Sequence, residues 1–269
     1  MNILEQFRLF TTLVIQFLTV FYAYQVIYIL ISIIKRKVTS LKDTDIRNRF
    51  AIFISARNEE GVISELLDSL NKQDYPRDKY DIYVVADNCT DHTAQVSRDN
   101  GAIVYERFNK EEVGKGYALN YLYTKVSSLK GRKYYDAFVV FDADNIVDPA
   151  FLKESNKKLA SGKYDAFTTY RNSKNFGTNW LSAAYSIWFL HEARHLNYVR
   201  DMIGAQCMIS GTGFVITSSL MDENDGWPYY FLTEDIQFSV ASTINNKRIG
   251  YCDSAMLYDE QPSTMEQSW

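Results

Sequence analysis

From Leu9 to Ile34 the chain carries no charged residue, and its apolar run is broken only by Thr11, Thr12, Gln16, Thr19, Gln25 and Ser32. A bilayer's hydrocarbon core of about 30 Å needs roughly 20 helical residues, so this run spans it with length left for tilt. It lacks the basic start, short apolar region and small-residue cleavage site of a signal peptide. The other reading, a long buried helix of a soluble protein, seldom stays charge-free over such a length. After a polar linker, residues 38–49, the pattern changes to short apolar runs alternating with stretches of helical period, which predicts an α/β domain over residues 50–269. Strands are predicted at Phe50 to Ser55, Ile82 to Ala86, Ala102 to Tyr105, Ala137 to Phe141 and Ala166 to Thr169. Helices fall between them at Glu59 to Asn71, Asp91 to Asn100, Gly116 to Ser128 and Pro149 to Ala160, the last with Asp148 as N-cap. The second half is less regular: a long aromatic helix from Asn179 to Arg200, a glycine-containing segment from Ser210 to Thr217, and a helix from Glu234 to Asn245.

Charge then orients the first element. Lys35, Arg36 and Lys37 follow the span at once, so residues 1–37 read as a transmembrane helix with its basic flank, and the positive-inside rule puts everything after Lys35 in the cytoplasm of a cell membrane. The 29 basic and 33 acidic residues are mixed along the chain without a long basic run, which argues against nucleic acid as a partner. Cys89, Cys207 and Cys252 lie far apart with no C-x-x-C pair, against a disulfide framework or structural zinc.

In open α/β sheets ligands bind beyond the carboxyl ends of the strands. Here those positions are repeatedly acidic: Arg57-Asn58-Glu59-Glu60 after the first strand, Asp87-Asn88-Cys89-Thr90-Asp91 after the second, Asp142-Ala143-Asp144-Asn145 after the fourth. Asp142 and Asp144 can aim two hard oxygen ligands into one cleft, suiting Mg²⁺ or Mn²⁺, or they can form a solvated turn. Glu234-Asp235 is either a second acidic pair of the site or the capped first turn of a helix. Lys115, between Gly114 and Gly116, is either a turn lysine or a phosphate contact at a helix N-terminus.

These segments, taken in order, resemble glycosyltransferase family 2, particularly its membrane-bound, polysaccharide-synthase-like members. The similarity runs over roughly residues 50–262 through Ala56-Arg57-Asn58-Glu59-Glu60, Ala86-Asp87-Asn88-Cys89-Thr90-Asp91, Gly114-Lys115-Gly116 with Ala118-Leu119-Asn120, Phe141-Asp142-Ala143-Asp144 and Thr233-Glu234-Asp235. The resemblance implies a GT-A fold: a Rossmann-like, mostly parallel sheet with helices on both faces. It also implies a nucleoside-diphosphate sugar donor, a divalent metal (Mg²⁺ or Mn²⁺) and inverting transfer to a glycan or lipid-linked acceptor. On this reading Ala56, Arg57, Glu59, Asp87, Lys115 and Asp142 bind the donor, with Asp87 reading the base, usually uracil. Asp144 coordinates the metal and Asp235 is similar to the catalytic base. Glu234 and the Gly211-Thr212-Gly213 segment fall on the acceptor side. Two departures stand out. Where many relatives carry Asp-Asp-Gly-Ser after the second strand, this chain has Ala86-Asp87-Asn88-Cys89. Relatives also continue past a Glu-x-Pro stretch, here Glu260-Gln261-Pro262, into Gln-x-x-Arg-Trp, and the sequence stops at Trp269 without it, so the domain is expected to be incomplete at its C-terminus.

A competing motif is His191-Glu192-Ala193-Arg194-His195, which matches the H-E-x-x-H of zinc metalloproteases. Against it, the third ligand is missing: the remaining histidine, His92, belongs to another layer. Ala184, Trp188, His191, His195 and Val199 also form one stripe at helical spacing, so the histidines extend an apolar face. A third reading is a membrane-tethered nucleotide-sugar binder without activity, which would not need both Asp144 and Asp235. Trp180, Trp188 and Trp227 are packing or interface residues, or surfaces on which an acceptor stacks.

Overall fold

The computed structural model describes residues 2–35 and 41–268; Arg36 and Lys37 of the basic flank, linker positions 38–40 and Trp269 lie outside the described residues. Helix α1 (Ile3–Lys35) is long and apolar enough to cross a membrane. Thr11 and Thr19 return their hydroxyls to the carbonyls of Phe7 and Ile15, so these polar groups are satisfied inside the helix, as a bilayer requires. Near its end, Tyr28 and Ile31 pack against the core of the rest of the chain and Ser32 is buried.

The domain is built on strands β1 (Phe50–Ala56), β2 (Tyr80–Asp87), β3 (Ile103–Arg107), β4 (Ala137–Asp142), β5 (Ile146–Val147), β6 (Ala166–Ser173), β7 (Phe214–Thr217) and β8 (Ile249–Asp259). Its helices are α2 (Ile63–Asn71), α3 (Thr93–Asp99), α4 (Lys115–Lys130), α5 (Phe151–Ala160), α6 (Trp180–His191), α7 (Tyr198–Met202), α8 (Ser218–Glu223) and α9 (Glu234–Ile244). The strands form one sheet in the order β3-β2-β1-β4-β7-β6-β8-β5. Alternation along β1 explains why helices cover both faces: Phe50, Ile52 and Ile54 face the core beneath α2 and α5, while Ala51 and Phe53 face the core that includes α4.

All five predicted strands are present. Four pairings are parallel, and three are antiparallel, so the sheet is mixed, with its parallel half at β3-β2-β1-β4. Three strands were not predicted. β7 is the glycine-containing segment, β5 is a two-residue edge, and β8 mixes Asp253 and Ser254 into an apolar run that neither period describes. The predicted helix from Asn179 to Arg200 is divided, because Glu192–Asn197 winds as a π-helix between α6 and α7. Asp148 caps α5 from two residues further out than the N-cap position, accepting the Ala150 N–H at 2.9 Å.

Candidate active site

Strands β1, β2 and β4 are parallel and in register, Ser55 lying between Val85 and Asp142, so the segments after them share one edge of the sheet. The first two interlock. Asn58 Oδ1 accepts the Thr90 N–H at 2.8 Å, Glu60 Oε2 accepts the His92 N–H at 2.8 Å, and the Glu59 N–H donates to Thr93 Oγ1 at 2.8 Å. Asn58 and Asn88 hold positive φ angles of 58° and 55°. Asn88 stands where Asp-Asp-Gly-Ser has its glycine, and asparagine is among the few residues that tolerate this left-handed conformation, so the turn survives the substitution.

Above this corner lies a cavity of about 430 Å³ walled by Arg57, Asn88, Cys89, Thr90, Phe108, Lys110 and Val113. Asp87 sits beneath it, buried, with Oδ1 2.7 Å from Nη1 of Arg107, whose Nη2 reaches Glu112 at 3.2 Å. Sequence reasoning missed Arg107, which carries no motif of its own and is signalled only by its place at the end of β3. Ala56, expected on the donor side, is buried, and its carbonyl accepts from Cys89 Sγ at 3.4 Å, which supports the turn.

A second cavity, of about 590 Å³, adjoins the first through Val113 and collects Lys115, Asp142, Gly211, Glu234 and Asp235. Nζ of Lys115 donates to Asp142 Oδ1 at 2.5 Å and to the Gly211 carbonyl at 2.7 Å, and lies 3.9 Å from Glu234 Oε1. Burial alone would lower the Lys115 pKa; Asp142 and Glu234 outweigh it and raise it, so the lysine stays charged. Burial raises the Glu234 pKa despite the neighbouring Lys115. Asp235 Oδ2 accepts the Gly211 N–H at 2.6 Å, which fixes the carboxylate at the cavity wall.

Asp144 opens onto a third space, about 320 Å³, with Glu59, Glu260 and Gln261. Burial, then the charges of Asp259 and Asp142, push its pKa up to about 7, with Lys174 opposing. Burial and then Asp142 and Asp91 likewise raise that of Glu59. The turn is held from below by Asn145, fully buried, whose Nδ2 donates to Asp144 Oδ1 at 3.2 Å and Asp259 Oδ1 at 2.7 Å and whose Oδ1 accepts from Thr212 Oγ1 at 2.5 Å. Thr212 Oγ1 in turn accepts the Asp142 N–H at 2.9 Å. Arg171 clamps Asp259 through Nε at 2.8 Å. Asn145 adjoins the Asp142-Ala143-Asp144 run and Asp259 the Glu-x-Pro stretch, whereas Arg171 is adjacent to no motif.

Gly211, Thr212 and Gly213, all expected on the acceptor side, are placed differently. Thr212 is buried under the Asp142–Asn145 turn, and at Gly213 (φ 64°) a Cβ would lie 1.7 Å from Leu257 Cδ2, so both build the floor and only Gly211 reaches the cavity. Trp227 is also core, stacked between Phe214 and Phe238. A divalent cation suits the acids that remain: burial and then two neighbouring carboxylates raise the proton affinity of Asp144, and hard oxygen donors beside an open space match an ion shared with phosphate oxygens. Among the described residues no three His, Cys, Asp or Glu side chains form a ready-made metal cage. That holds also for the H-E-x-x-H segment. Glu192 turns inward, its pKa raised by burial, and His195 Nδ1 hydrogen-bonds Ser32 Oγ of α1 at 2.6 Å.

Known proteins share this architecture. The chain is similar to a mannosyltransferase from Pyrobaculum calidifontis solved with GDP-Man and Mn²⁺, with TM-score 0.69 and 20% identity over 95% of this chain and 70% of that one. It is also similar to residues 1–349 of TarS from Staphylococcus aureus solved with UDP-GlcNAc, with TM-score 0.59 and 20% identity over 82% of this chain and 60% of that one. The fold is thus GT-A. In sequence, a beta-monoglucosyldiacylglycerol synthase of Synechocystis sp. is 23% identical, covering 81% of this chain and 45% of that protein. A probable glycosyltransferase of Bacillus subtilis, YdaM, is 24% identical, covering 82% and 53%. The chain spans about half the length of these curated relatives. The family profile described as "Glycosyltransferase like family 2" matches residues 48–269, and the chain belongs to that family.

Proposed function

We propose that this domain transfers a hexose or N-acetylhexosamine from a nucleoside-diphosphate donor, UDP in the first instance, to a hydroxyl of a glycan or lipid-linked acceptor, with inversion, at the cytoplasmic face of the membrane crossed by α1. The observation that carries the reading is the junction of two cavities at Val113, with Arg57 and Asn88 on one side and Lys115, Asp142, Glu234 and Asp235 on the other. The nucleoside fits the first, above Asp87 and Arg107. The diphosphate fits the junction, where Lys115 supplies a charged donor; Asp142 then passes from its lysine contact to the ribose and phosphate side. Asp144 would hold Mg²⁺ or Mn²⁺ together with the donor phosphates, and the ion would neutralise charge on the leaving diphosphate.

Asp235 is the base. Its carboxylate is oriented by the Gly211 N–H and faces the same cavity as Lys115, where an acceptor hydroxyl gives up its proton as it attacks the anomeric carbon. Exposed Phe231 and Leu232 form an apolar lip on that cavity, which suits an acceptor with an apolar portion. The Synechocystis relative, named for a glucosylated diacylglycerol, supports that choice. The test is release of UDP by the detergent-solubilised protein, offered a panel of UDP-sugars with Mn²⁺ and either diacylglycerol or glycan acceptors. Turnover with GDP-mannose but with no UDP-sugar would overturn the donor assignment.

A further inference from the structure

We propose that the outward stripe of α6 lies in the headgroup layer of the bilayer, so that the catalytic domain rests flat on the membrane and is not merely suspended from α1. This rests on reading α1 as membrane-spanning. Trp180, Ile187 and Trp188 are 74%, 57% and 59% exposed, although the opposite face of the same helix buries Ser182 and Ser186. Their spacing puts them on one side of the helix together with Ala184 and His191. A contiguous apolar face of this kind on a folded domain marks an interaction surface.

The occupant follows from where the stripe leads. Continued along the chain, it reaches His195, which is joined to Ser32 of α1 by the 2.6 Å hydrogen bond. The 33 residues of α1 span about 50 Å at 1.5 Å per residue, against a hydrocarbon core of about 30 Å. Among the described residues, Tyr28 and Ile31 pack on the domain core and Ser32 is buried, so the domain docks near the end of α1, where it leaves the hydrocarbon. A helix held at that level, with two tryptophans outward and no charged side chain, suits the headgroup boundary, which indole rings favour. The same helix reaches the active site from its other face. Phe189 lies under the Arg171 guanidinium, 3.6 Å from its ring centroid, and Arg171 contacts both Asp259 and the Ser210 carbonyl. Membrane contact therefore steadies the wall beside Gly211.

The experiment uses the full chain in vesicles of phosphatidylcholine and phosphatidylglycerol, with acyl chains brominated close to the headgroup as a short-range quencher. Trp180→Phe/Trp188→Phe is compared with the wild type; Trp227 and Trp269 are common to both, and their emission cancels in the difference. The expected result is that the difference emission is blue-shifted and strongly quenched by the brominated lipid. A control adds Phe17→Trp to the double variant and reports insertion of α1 alone. If Phe17→Trp is quenched by deeply brominated chains while the Trp180/Trp188 emission is not, the stripe proposal fails and the membrane reading of α1 stands. In that case red-shifted emission means the stripe faces water, and blue-shifted emission means that protein covers it. If neither is quenched, α1 does not span, and both fall together.

Discussion

The two halves of the domain place their functional groups by different means. In the half from β1 to α5, each acid follows directly from a strand, and parallel register carries Glu59, Asp87, Asp142 and Asp144 to a common edge. From β6 onward the groups are placed by contacts across long stretches of chain: Arg171 on Asp259, Lys115 on Gly211, Asp235 on Gly211, Asn145 on Thr212. The first half is a repeated local rule with a ligand edge built in. The second is a polar network threaded through an interrupted helix and antiparallel strands. On the proposed function, the difference separates two roles, donor binding where local structure suffices and acceptor positioning where it does not.

The sharpest test exchanges one acid on each side. Asp235→Asn is expected to lower kcat roughly 10²- to 10⁴-fold, the contribution of a positioned proton acceptor, while calorimetric UDP affinity with Mn²⁺ stays near that of the wild type. Asp144→Asn should do the converse, abolishing the Mn²⁺-dependent gain in UDP affinity. If Asp235→Asn weakened UDP binding as much as Asp144→Asn, the division of roles would collapse. Next in size is the buried Asp87–Arg107 pair, whose side chains are only 5% and 6% exposed. Arg107→Met leaves Asp87 uncompensated, for an expected loss of about 3–5 kcal/mol in stability. Arg107→Met/Asp87→Asn removes both charges and should recover part of it. Chemical denaturation reads both; a double variant no more stable than the single one would mean that the charge on Asp87 is not what the arginine offsets.

The same contrast explains what was legible in the sequence. Asp142 and Asp144 could be read because a strand of apolar residues ends on them and a helix follows, whereas the positive φ at Asn88, a departure from Asp-Asp-Gly-Ser in the sequence, came from the structure. Arg107, Asp259 and Arg171 could not, since each gains its role from a partner that only the folded sheet brings near. The resemblance puts Thr212 and Gly213 on the acceptor side, yet the close approach of Leu257 and the Asp142 turn packs them into the floor. The H-E-x-x-H segment had the right letters, but the π-helix starting at Glu192 and the Ser32 hydrogen bond give its acid and its second histidine other work.

Where the halves meet, one glycine lets them touch. A Cβ on Gly116, next to Lys115 at the start of α4, would lie 1.9 Å from the Tyr229 carbonyl oxygen, a backbone atom that cannot turn aside. Alanine gains about 1 kcal/mol over glycine in a helix interior. Overpacking costs about 1–3 kcal/mol, and against backbone it should win. Gly116→Ala is therefore expected to lower thermal stability despite its helix propensity, and to reduce turnover by displacing the segment from Tyr229 to Asp235. A variant of raised Tm with normal turnover would show that the halves are joined more loosely than this contact implies.

The smallest effect probes whether the second half needs its own local signals at all. Asn179 caps α6 in a reciprocal capping box: its Oδ1 accepts from the N–H groups of Leu181 and Ser182, both at 3.0 Å, and its own N–H donates to Ser182 Oγ at 3.2 Å. Its Nδ2 also donates to the Ser263 carbonyl at 2.7 Å, tying the helix start to the segment after β8. Asn179→Ala removes both functions, and loss of such a cap costs about 0.5–2 kcal/mol. Asn179→Asp keeps the acceptor and places a negative charge at the helix N-terminus, where the macrodipole favours it, but it cannot donate to Ser263. If local capping governs this region, aspartate should restore most of the urea midpoint lost with alanine at an unchanged m-value. If the tie across the chain governs it, aspartate should be as destabilising as alanine, and even this recognisable helix start would owe its position to the non-local network.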